Sequence, residues 1–382
     1  MIKKIILSII AVSVMAFPGF ANDPIKKPNV AGQFYTADPA ALSAQIQTFL
    51  KKVPQPEGNR RVGIVIVPHA GYIYSGQIAA QAFKHVVGKK YTTVVVLAPS
   101  HHYGFPGISV WTEGGFETPL GILTVDQSFA KELMAADPLF IFEPAAFERE
   151  HALEVELPFI QEAVGKDVKI VPVIMGQADF STCEKAAEAL NRIIGSRKDV
   201  LVVVSSDMSH FHDDQTARAM DGQTLGLIQS FQARQLWQLC AVQKLEMCGF
   251  VPATTAILLA QKQGLAVDIL TYGNSGDVTG DKGNVVGYSA TVFYDGPDPA
   301  AASKGDEGGV GMLTPVQKKR LIGIAQETIR LYVSEGKTLN LQEKDARLNQ
   351  QEGAFVTIHK HGQLRGCIGN IVGRQPLYLT VR

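Results

Sequence analysis

The sequence predicts an α/β protein with a mixed, largely parallel central sheet flanked by helices, followed by a partial α+β domain at the C-terminal end. Short runs of Val and Ile alternate with helix-like stretches between about residues 60 and 294. The runs are almost free of polar residues, as expected for parallel strands buried on both faces. A polar segment rich in Pro and Gly then leads to a second, different pattern of elements.

Changes in composition divide the chain into four segments. We expect a signal peptide over residues 1–21, an α/β domain over 22–296, a linker over 297–311 and a partial second domain over 312–382. The 36 basic and 36 acidic residues give zero net charge, which argues against a nucleic-acid partner because binding to phosphates needs a basic face. Only 4 cysteines are present, too few for a disulfide scaffold.

The N-terminal segment has the pattern of a secretory signal. Lys3 and Lys4 precede an apolar run from Ile5 to Phe17, and small residues lead to Ala21. The run is shorter than the ~20 residues that a membrane-spanning helix needs, so cleavage after Ala21 is expected. The sequence therefore predicts an exported, periplasmic protein that has no membrane segment after cleavage. In that compartment Cys183 and Cys240 could remain thiols or form a disulfide.

The elements of the α/β domain follow from its apolar runs. The predicted strands are Val62–Val67, Thr93–Leu97, Val168–Ile174, Val200–Val204, Ala266–Tyr272 and Val285–Tyr294. The predicted helices are Gln77–Val87, Gln127–Ala136, Ala152–Val164, Cys183–Ile194, Asp214–Gln229 and Thr254–Gln263. Because strands and helices alternate, the central strands should be parallel.

The C-terminal segment has its own start signal. Thr314 is a plausible helix N-cap with Pro315 at the first helical position, and an amphipathic stretch continues to about Val333. The runs Ala354–His359 and Gly362–Ile368 then predict a hairpin. A core of this size is marginal, so we expect this domain to be incomplete.

Histidines cluster at the ends of three predicted strands. The six in such loops, or in the loop before a helix, are His69, His101, His102, His151, His210 and His212. The carboxyl ends of parallel strands meet at one edge of a sheet, where ligands bind, so these loops should converge. Converging imidazoles suit a transition metal. An anionic ligand could come from Asp207, Glu150, Glu154 or Cys248.

Three of these candidates have an alternative explanation. His151 and Glu154 share one face at a predicted helix start, which fits either a capping and salt-bridge arrangement or a role at the site. Cys248 precedes a helix whose positive end would lower the thiol pKa, although buried, inert cysteines are more common.

Several motifs occur together in a fixed order. They are Ala31-Gly32-Gln33-Phe34-Tyr35, Pro68-His69-Ala70-Gly71-Tyr72, Pro99-Ser100-His101-His102, Glu150-His151 with Glu154, Ser205-Ser206-Asp207 with His210, and Cys248-Gly249. Over about Lys27 to Tyr294 the chain thereby resembles the Memo family (mediator of cell motility), known in prokaryotes as AmmeMemoRadiSam system protein B.

This resemblance implies a fold like that of the class III extradiol dioxygenases (LigB-like) and one Fe(II) or copper ion per chain, with zinc less favoured. It implies His69, His101 and Cys248 as the metal ligands. His210 matches the general base with Asp207 beside it, and we expect His151 and Glu154 to orient the other side. The implied function is a redox enzyme acting on a small molecule or peptide. The alternative is a non-catalytic module that binds a ligand or peptide and carries a structural or stored metal.

The C-terminal hairpin carries a second resemblance. Phe355-Val356-Thr357-Ile358-His359-Lys360 and Leu364-Arg365-Gly366-Cys367-Ile368-Gly369 are similar to the first part of the AMMECR domain (AmmeMemoRadiSam system protein A). The resemblance implies a radical-SAM protein as a third system member and partner. Arg365 could bind an anion, or the motif could be a folding signature alone.

Overall fold

The computed structural model describes residues 24–56, 58, 60–296, 313, 315–360, 363–370, 373 and 375–382. The predicted signal peptide, the predicted linker and Thr314 lie outside the described residues. The side chains of Arg365 and Cys367 lie outside them as well. In the described part of the chain, no helix combines the length and apolar character needed to cross a bilayer.

Strands are numbered in chain order. They are Ile25–Lys26 (β1), Val62–Val67 (β2), Thr93–Pro99 (β3), Ile108–Val110 (β4), Gly115–Thr118 (β5), Gly121–Thr124 (β6), Phe140–Ile141 (β7), Lys169–Met175 (β8), Val200–Ser205 (β9), His210–His212 (β10), Leu265–Asn274 (β11), Val285–Asp295 (β12), Ala354–Lys360 (β13) and Gln363–Asn370 (β14).

Helices are numbered in the same way. They are Pro39–Lys52 (α1), Tyr72–Lys84 (α2), Gln127–Met134 (α3), Ala145–Glu148 (α4), Leu157–Ala163 (α5), Phe180–Ile194 (α6), Asp214–Gln229 (α7), Ala233–Ala241 (α8), Phe250–Gln263 (α9), Ser275–Thr279 (α10), Pro315–Glu335 (α11) and Leu377–Thr380 (α12). A 3-10 turn, Glu154–Glu156, leads directly into α5.

The central sheet is mixed, as predicted. Its middle consists of four parallel strands in the order β2, β9, β3 and β8. Antiparallel strands extend both sides: β12 with β10 and β11 lies beside β2, and β4 with β7 lies beside β8. Two groups of helices flank the sheet, α1 with α2 and α5, and α6 with α8 and α9. The predicted fold class is confirmed.

Burial explains the composition of the central strands. Every residue of β2, β3 and β9 is buried, and so is every residue of β8 except Lys169. Apolar, β-branched side chains satisfy both faces of such strands. The observed β2 has the predicted bounds, while β3 continues two residues further to Pro99. This extension carries the chain directly to the loop that holds His101.

Helix α2 begins earlier than predicted, and α1 was not predicted. Helix α2 starts at Tyr72 instead of Gln77, because Gly71 acts as the N-cap and the Tyr72 N–H donates to the Phe34 carbonyl. Helix α1 begins after Asp38, whose carboxylate accepts the Ala41 N–H, with Pro39 at the first position. The early start of α2 places its first turn directly after His69.

The C-terminal unit has a small core of its own. Helix α11 covers the predicted amphipathic stretch, and β13 and β14 form the predicted antiparallel hairpin. The buried members of its core are Leu321, Ile324, Leu348, Leu377 and Tyr378. Apolar residues at helical spacing on α11 thus meet the last described helix, α12.

Candidate metal centre

Three histidines from three separate loops meet at the carboxyl edge of the sheet. His69 follows β2, His101 follows β3, and His151 precedes the 3-10 turn before α5. One ring nitrogen of each lies within 4.8 Å of one ring nitrogen of the other two. The centroids of the His101 and His151 rings are 4.9 Å apart, and the His69 ring stands nearly perpendicular to His151. This group could hold a metal ion.

His69 is the most buried of the three, with 2% of its surface exposed. Its Nδ1 lies 2.8 Å from Ser205 Oγ, and its backbone N–H donates to Asp207 Oδ1 over 2.9 Å. Burial, reinforced by the neighbouring His101, lowers the pKa of His69 to about 3. The ring is therefore neutral near pH 7, which is the form in which imidazole binds a metal.

Glu150 supports the other two histidines. Its Oε1 lies 2.9 Å from His101 Nδ1 and 3.4 Å from His151 Nδ1, and the carboxylate accepts the backbone N–H groups of His101, His151 and Ala152. Burial opposes ionisation, but these hydrogen bonds lower the pKa of Glu150 to about 2. Burial and the nearby His69 lower the pKa of His151 to about 4. An ionised carboxylate thus orients two imidazoles.

Cys248 lies beside this group. Its Sγ is 3.3 Å from His69 Nε2, and it accepts the Asp207 backbone N–H over 3.2 Å. Burial, followed by the charge of Asp207, raises the pKa of the Cys248 thiol. This shift is opposite to the one expected from the helix that follows, because desolvation outweighs the field of the helix end.

A cavity of about 460 Å³ opens onto the three histidines. Asp207 and His210 line it together with an apolar wall that includes Phe34, Tyr74 and Tyr288. Burial raises the pKa of Asp207, while His210 and backbone N–H groups oppose that rise. The structure therefore brings Asp207 and His210 to the same space as the histidine group. The volume is in the range of small-molecule sites.

Glu154 does not reach this cavity. Its carboxylate accepts the Val30 N–H over 2.9 Å, the Tyr35 hydroxyl over 2.6 Å and the Asn29 N–H. These contacts hold the segment before α1 against the 3-10 turn. These hydrogen bonds are neither the capping nor the salt-bridge arrangement considered from the sequence, and their partners lie in the segment before α1.

The remaining candidates are not members of the histidine group. His212 Nε2 is 3.0 Å from Glu246 Oε1, and the His210 N–H donates to the same carboxylate. His102 lies next to His101 but is not part of the histidine group. Cys183 and Cys240 are both buried free thiols.

Sequence reasoning did not identify the residues behind His69. Ser205 entered the sequence analysis only as part of the motif Ser205-Ser206-Asp207, and Glu156 was not selected at all. Both are buried with no exposed surface, and Ser205 Oγ lies 2.8 Å from Glu156 Oε1. The sequence signal that could have pointed to Glu156 is its acidic side chain in a stretch that is apolar except for Glu154.

Comparisons with known protein families agree with this architecture. The family described as "Memo-like protein" matches residues 26–292, and the family described as "AMMECR1" matches residues 322–382. The first match includes the histidine group and the cavity. The second includes most of α11 and the hairpin.

Curated relatives carry the same description. A "MEMO1 family protein" from Sulfolobus acidocaldarius is 34% identical over 283 residues, covering 71% of this chain and 100% of the relative. "MEMO1 family protein SSO0066" from Saccharolobus solfataricus is 34% identical over 278 residues, covering 70% and 98%. A "MEMO1 family protein" from Sulfurisphaera tokodaii is 33% identical over 283 residues, covering 71% and 100%.

Proposed function

This chain belongs to the Memo family, and we propose that its N-terminal domain is an iron- or copper-dependent redox enzyme acting on a substrate held in the cavity. The observation that carries the proposal is the approach of three histidine nitrogens to within 4.8 Å of one another at the cavity wall. Their rings come from three loops distant in sequence. Such convergence is expected where one ion is held.

The donor set fits a transition metal. With Nδ1 of His69 engaged by Ser205 and Nδ1 of His101 by Glu150, the Nε2 atom of each ring remains for a ligand. Nitrogen and sulfur ligands of one tetrahedral ion lie about 3.6 Å apart, given bonds of roughly 2.1 and 2.3 Å. The 3.3 Å between His69 Nε2 and Cys248 Sγ is close to that value. We propose His69 and His101 as fixed ligands, completed by His151, Cys248 or both.

The ligand types favour iron or copper. Imidazole suits zinc, copper and iron alike, and a thiolate shifts preference towards copper(I). Either redox metal, when bound, supplies electron exchange and open positions for a substrate or O₂. A zinc hydrolase is the less favoured function for the same set of ligands.

The residues around the cavity supply binding and proton transfer. Asp207 and His210 both line the cavity, so the His210 ring can take a proton from a substrate hydroxyl or thiol held there. The Asp207 carboxyl group, held in place by the His69 N–H, lines the same cavity as that ring. The Phe34 ring packs edge-on against His151 at a centroid distance of 4.9 Å and limits where a substrate can lie.

The metal content of single variants tests the proposal. The full chain is purified, reconstituted without oxygen and analysed by mass spectrometry, with X-ray absorption to detect a sulfur ligand. We expect His69→Ala and His101→Ala to lose the ion, and His102→Ala, the matched control beside the group, to keep it. The His151→Ala and Cys248→Ser variants then identify the completing ligand. Equal metal content in all five variants would contradict the proposal.

The apolar wall of the cavity supports one other function. Ile73 is 66% exposed at the cavity, so a ligand or peptide could bind there without chemistry. Oxygen uptake with catechol-like and thiol substrates separates the two functions. Bound metal without uptake or oxidation favours the binding module.

We also propose that the protein is exported to the periplasm. The basic pair Lys3 and Lys4, the apolar run that follows and the small residues near Ala21 support this. Cell fractionation with N-terminal sequencing should find a chain that begins at Asn22. A chain that keeps Met1 in the cytoplasmic fraction would refute it.

A further inference from the structure

A buried carboxyl group lies behind His69, separated from it by one hydroxyl. Ser205 Oγ lies 2.8 Å from Glu156 Oε1 and 2.8 Å from His69 Nδ1. The same oxygen lies 2.7 Å from the backbone carbonyl of Ala152. Glu156 and Ser205 have no exposed surface. These groups connect the interior of the domain to the histidine ring.

The three contacts of Ser205 Oγ allow one assignment of hydrogen-bond donors and acceptors. A hydroxyl has one hydrogen to donate and two lone pairs that accept. The Ala152 carbonyl can only accept, so the 2.7 Å contact requires the serine hydrogen. The hydrogens of the other two contacts must then come from the partners. Nδ1–H of His69 donates to Ser205 Oγ, and the Glu156 carboxyl donates to it as a neutral acid.

The surroundings of Glu156 agree with this assignment. Among the described residues, its second oxygen, Oε2, is buried without a hydrogen-bond partner, and no cation forms an ion pair with it. An unpaired carboxylate in such a place is costly, whereas a neutral carboxyl group is tolerated more easily. Burial, with the charge of Asp207, raises the pKa of Glu156 well above its usual range.

We propose that Glu156 is a positioning residue, a neutral carboxylic acid that acts through Ser205 to hold His69 with its hydrogen on Nδ1 and its lone pair on Nε2. The proposal rests on the proposed metal site, because Nε2 is the atom turned towards Cys248 Sγ. Ser205 Oγ accepts a hydrogen from Glu156 and donates its own to the Ala152 carbonyl. The His69 ring can therefore contact Ser205 Oγ only as a donor, through Nδ1–H.

Infrared spectroscopy of the metal-free full chain tests the neutral carboxyl group. Near pH 7 we expect a C=O stretching band of a protonated carboxylic acid, above the amide I band, that shifts in D₂O. The band should be lost in Glu156→Gln and kept in Glu154→Gln, a neighbouring carboxyl group with other partners. Since Asp207 is buried too, the difference spectrum between the parent and Glu156→Gln decides. A difference spectrum without this band overturns the proposal.

The tautomer of His69 provides the second readout. Long-range proton–nitrogen NMR correlations should show hydrogen on Nδ1 in the parent and in Glu156→Gln, whose amide N–H can replace the acid as donor to Ser205. Ser205→Ala should mix the tautomers and weaken metal binding by about 10- to 100-fold, whereas Glu156→Gln keeps the parent affinity. Hydrogen on Nε2 in the parent, or equal losses in both variants, overturns the proposal. If the parent binds no metal while both spectra are as expected, the proposed function fails and the role of Glu156 stands.

Discussion

The two sides of the histidine group are supported in different ways. On the inner side, His69 contacts the hydroxyl of Ser205, with the fully buried Glu156 behind it. On the outer side, His101 and His151 lie against the carboxylate of Glu150, which the His101 ring and backbone N–H groups keep ionised. A neutral support fixes a tautomer without favouring protonation, whereas a charged support makes the ring more basic.

This difference appears in His69 and His101, whereas burial and the nearby His69 lower the pKa of His151 to about 4 although Glu150 acts to raise it. Burial lowers the pKa of His69 to about 3. Burial also acts on His101, but the hydrogen bond and charge of Glu150, with Asp207, outweigh it and raise the pKa of His101. The inner ring is thus available to a metal at any physiological pH. The His101 ring instead takes up a proton as pH falls and must release it to bind a metal.

Removing the charged support should have the largest effect. Glu150→Ala deletes the partner of the His101 ring and leaves the N–H groups of His101, His151 and Ala152 without their acceptor. We expect metal affinity to fall by about 10- to 100-fold. The free energy of unfolding should also fall by about 1–3 kcal/mol, because buried donors lose their partner. Metal titration and urea unfolding measure the two effects.

Glu148→Ala is the matched control for that variant. Glu148 is an exposed carboxylate two residues earlier on α4, so its removal changes charge but no contact of the histidine group. We expect the control to retain metal and stability. If Glu150→Ala also kept its metal, the outer side would not depend on a charged support.

The pH dependence of metal binding should follow the protonation of His101 on the outer side. Binding needs a neutral His101 ring, so affinity is complete above the raised pKa of His101 and falls as pH drops through it, by about tenfold per unit. Glu150→Gln removes the charge that raises this pKa, so the fall should begin at a lower pH. Metal titrations at several pH values measure the onset. An onset that stays in place or moves upward in Glu150→Gln would show that another group controls the proton competition.

On the inner side, the protonation of Glu156 should make the free energy of unfolding depend on pH. The folded chain keeps the proton on Glu156, but the unfolded chain releases it above a pKa of about 4.3, so the parent loses stability as pH rises from there. Glu156→Gln does not titrate and should be more stable near pH 7. The gain amounts to about 1.4 kcal/mol for each pH unit over which the two states differ, and it should vanish below about pH 4. Urea unfolding at both pH values measures it. A variant less stable than the parent near pH 7 would indicate an ionised Glu156.

Much of the sheet could be predicted because buried parallel strands impose a simple composition. The runs Val62–Val67 and Val200–Val204 hold almost nothing but Val, Ile and Leu, and the observed strands begin where these runs begin. Their order could not be obtained in this way. Strand β9 lies between β2 and β3 although it comes after both of them in the chain, since pairing depends on how the connecting helices pack.

The histidine loops were predictable for the same reason, because parallel strands bring their carboxyl ends to one edge. His151 was expected to orient the other side of the site, and one of its ring nitrogens lies within 4.8 Å of one ring nitrogen of each of the other two histidines. The Ser205–Glu156 contact joins residues 49 positions apart. No local pattern encodes such a contact, since it depends on how the 3-10 turn packs against the end of β9.

Glu154 belongs to neither side of the histidine group and should give the smallest effect. Tyr35→Phe removes the hydroxyl that donates to Glu154 Oε1, while the Val30 N–H still donates to the carboxylate. We expect a loss of about 1 kcal/mol in the free energy of unfolding and no change in metal affinity. Tyr91→Phe is the matched control, because Tyr91 is also buried and donates to a backbone carbonyl, that of Val62 in β2. If Tyr35→Phe weakened metal binding and Tyr91→Phe did not, Glu154 would act on the histidine group after all. The group would then depend on Glu154 in addition to Glu150 and the Ser205–Glu156 pair.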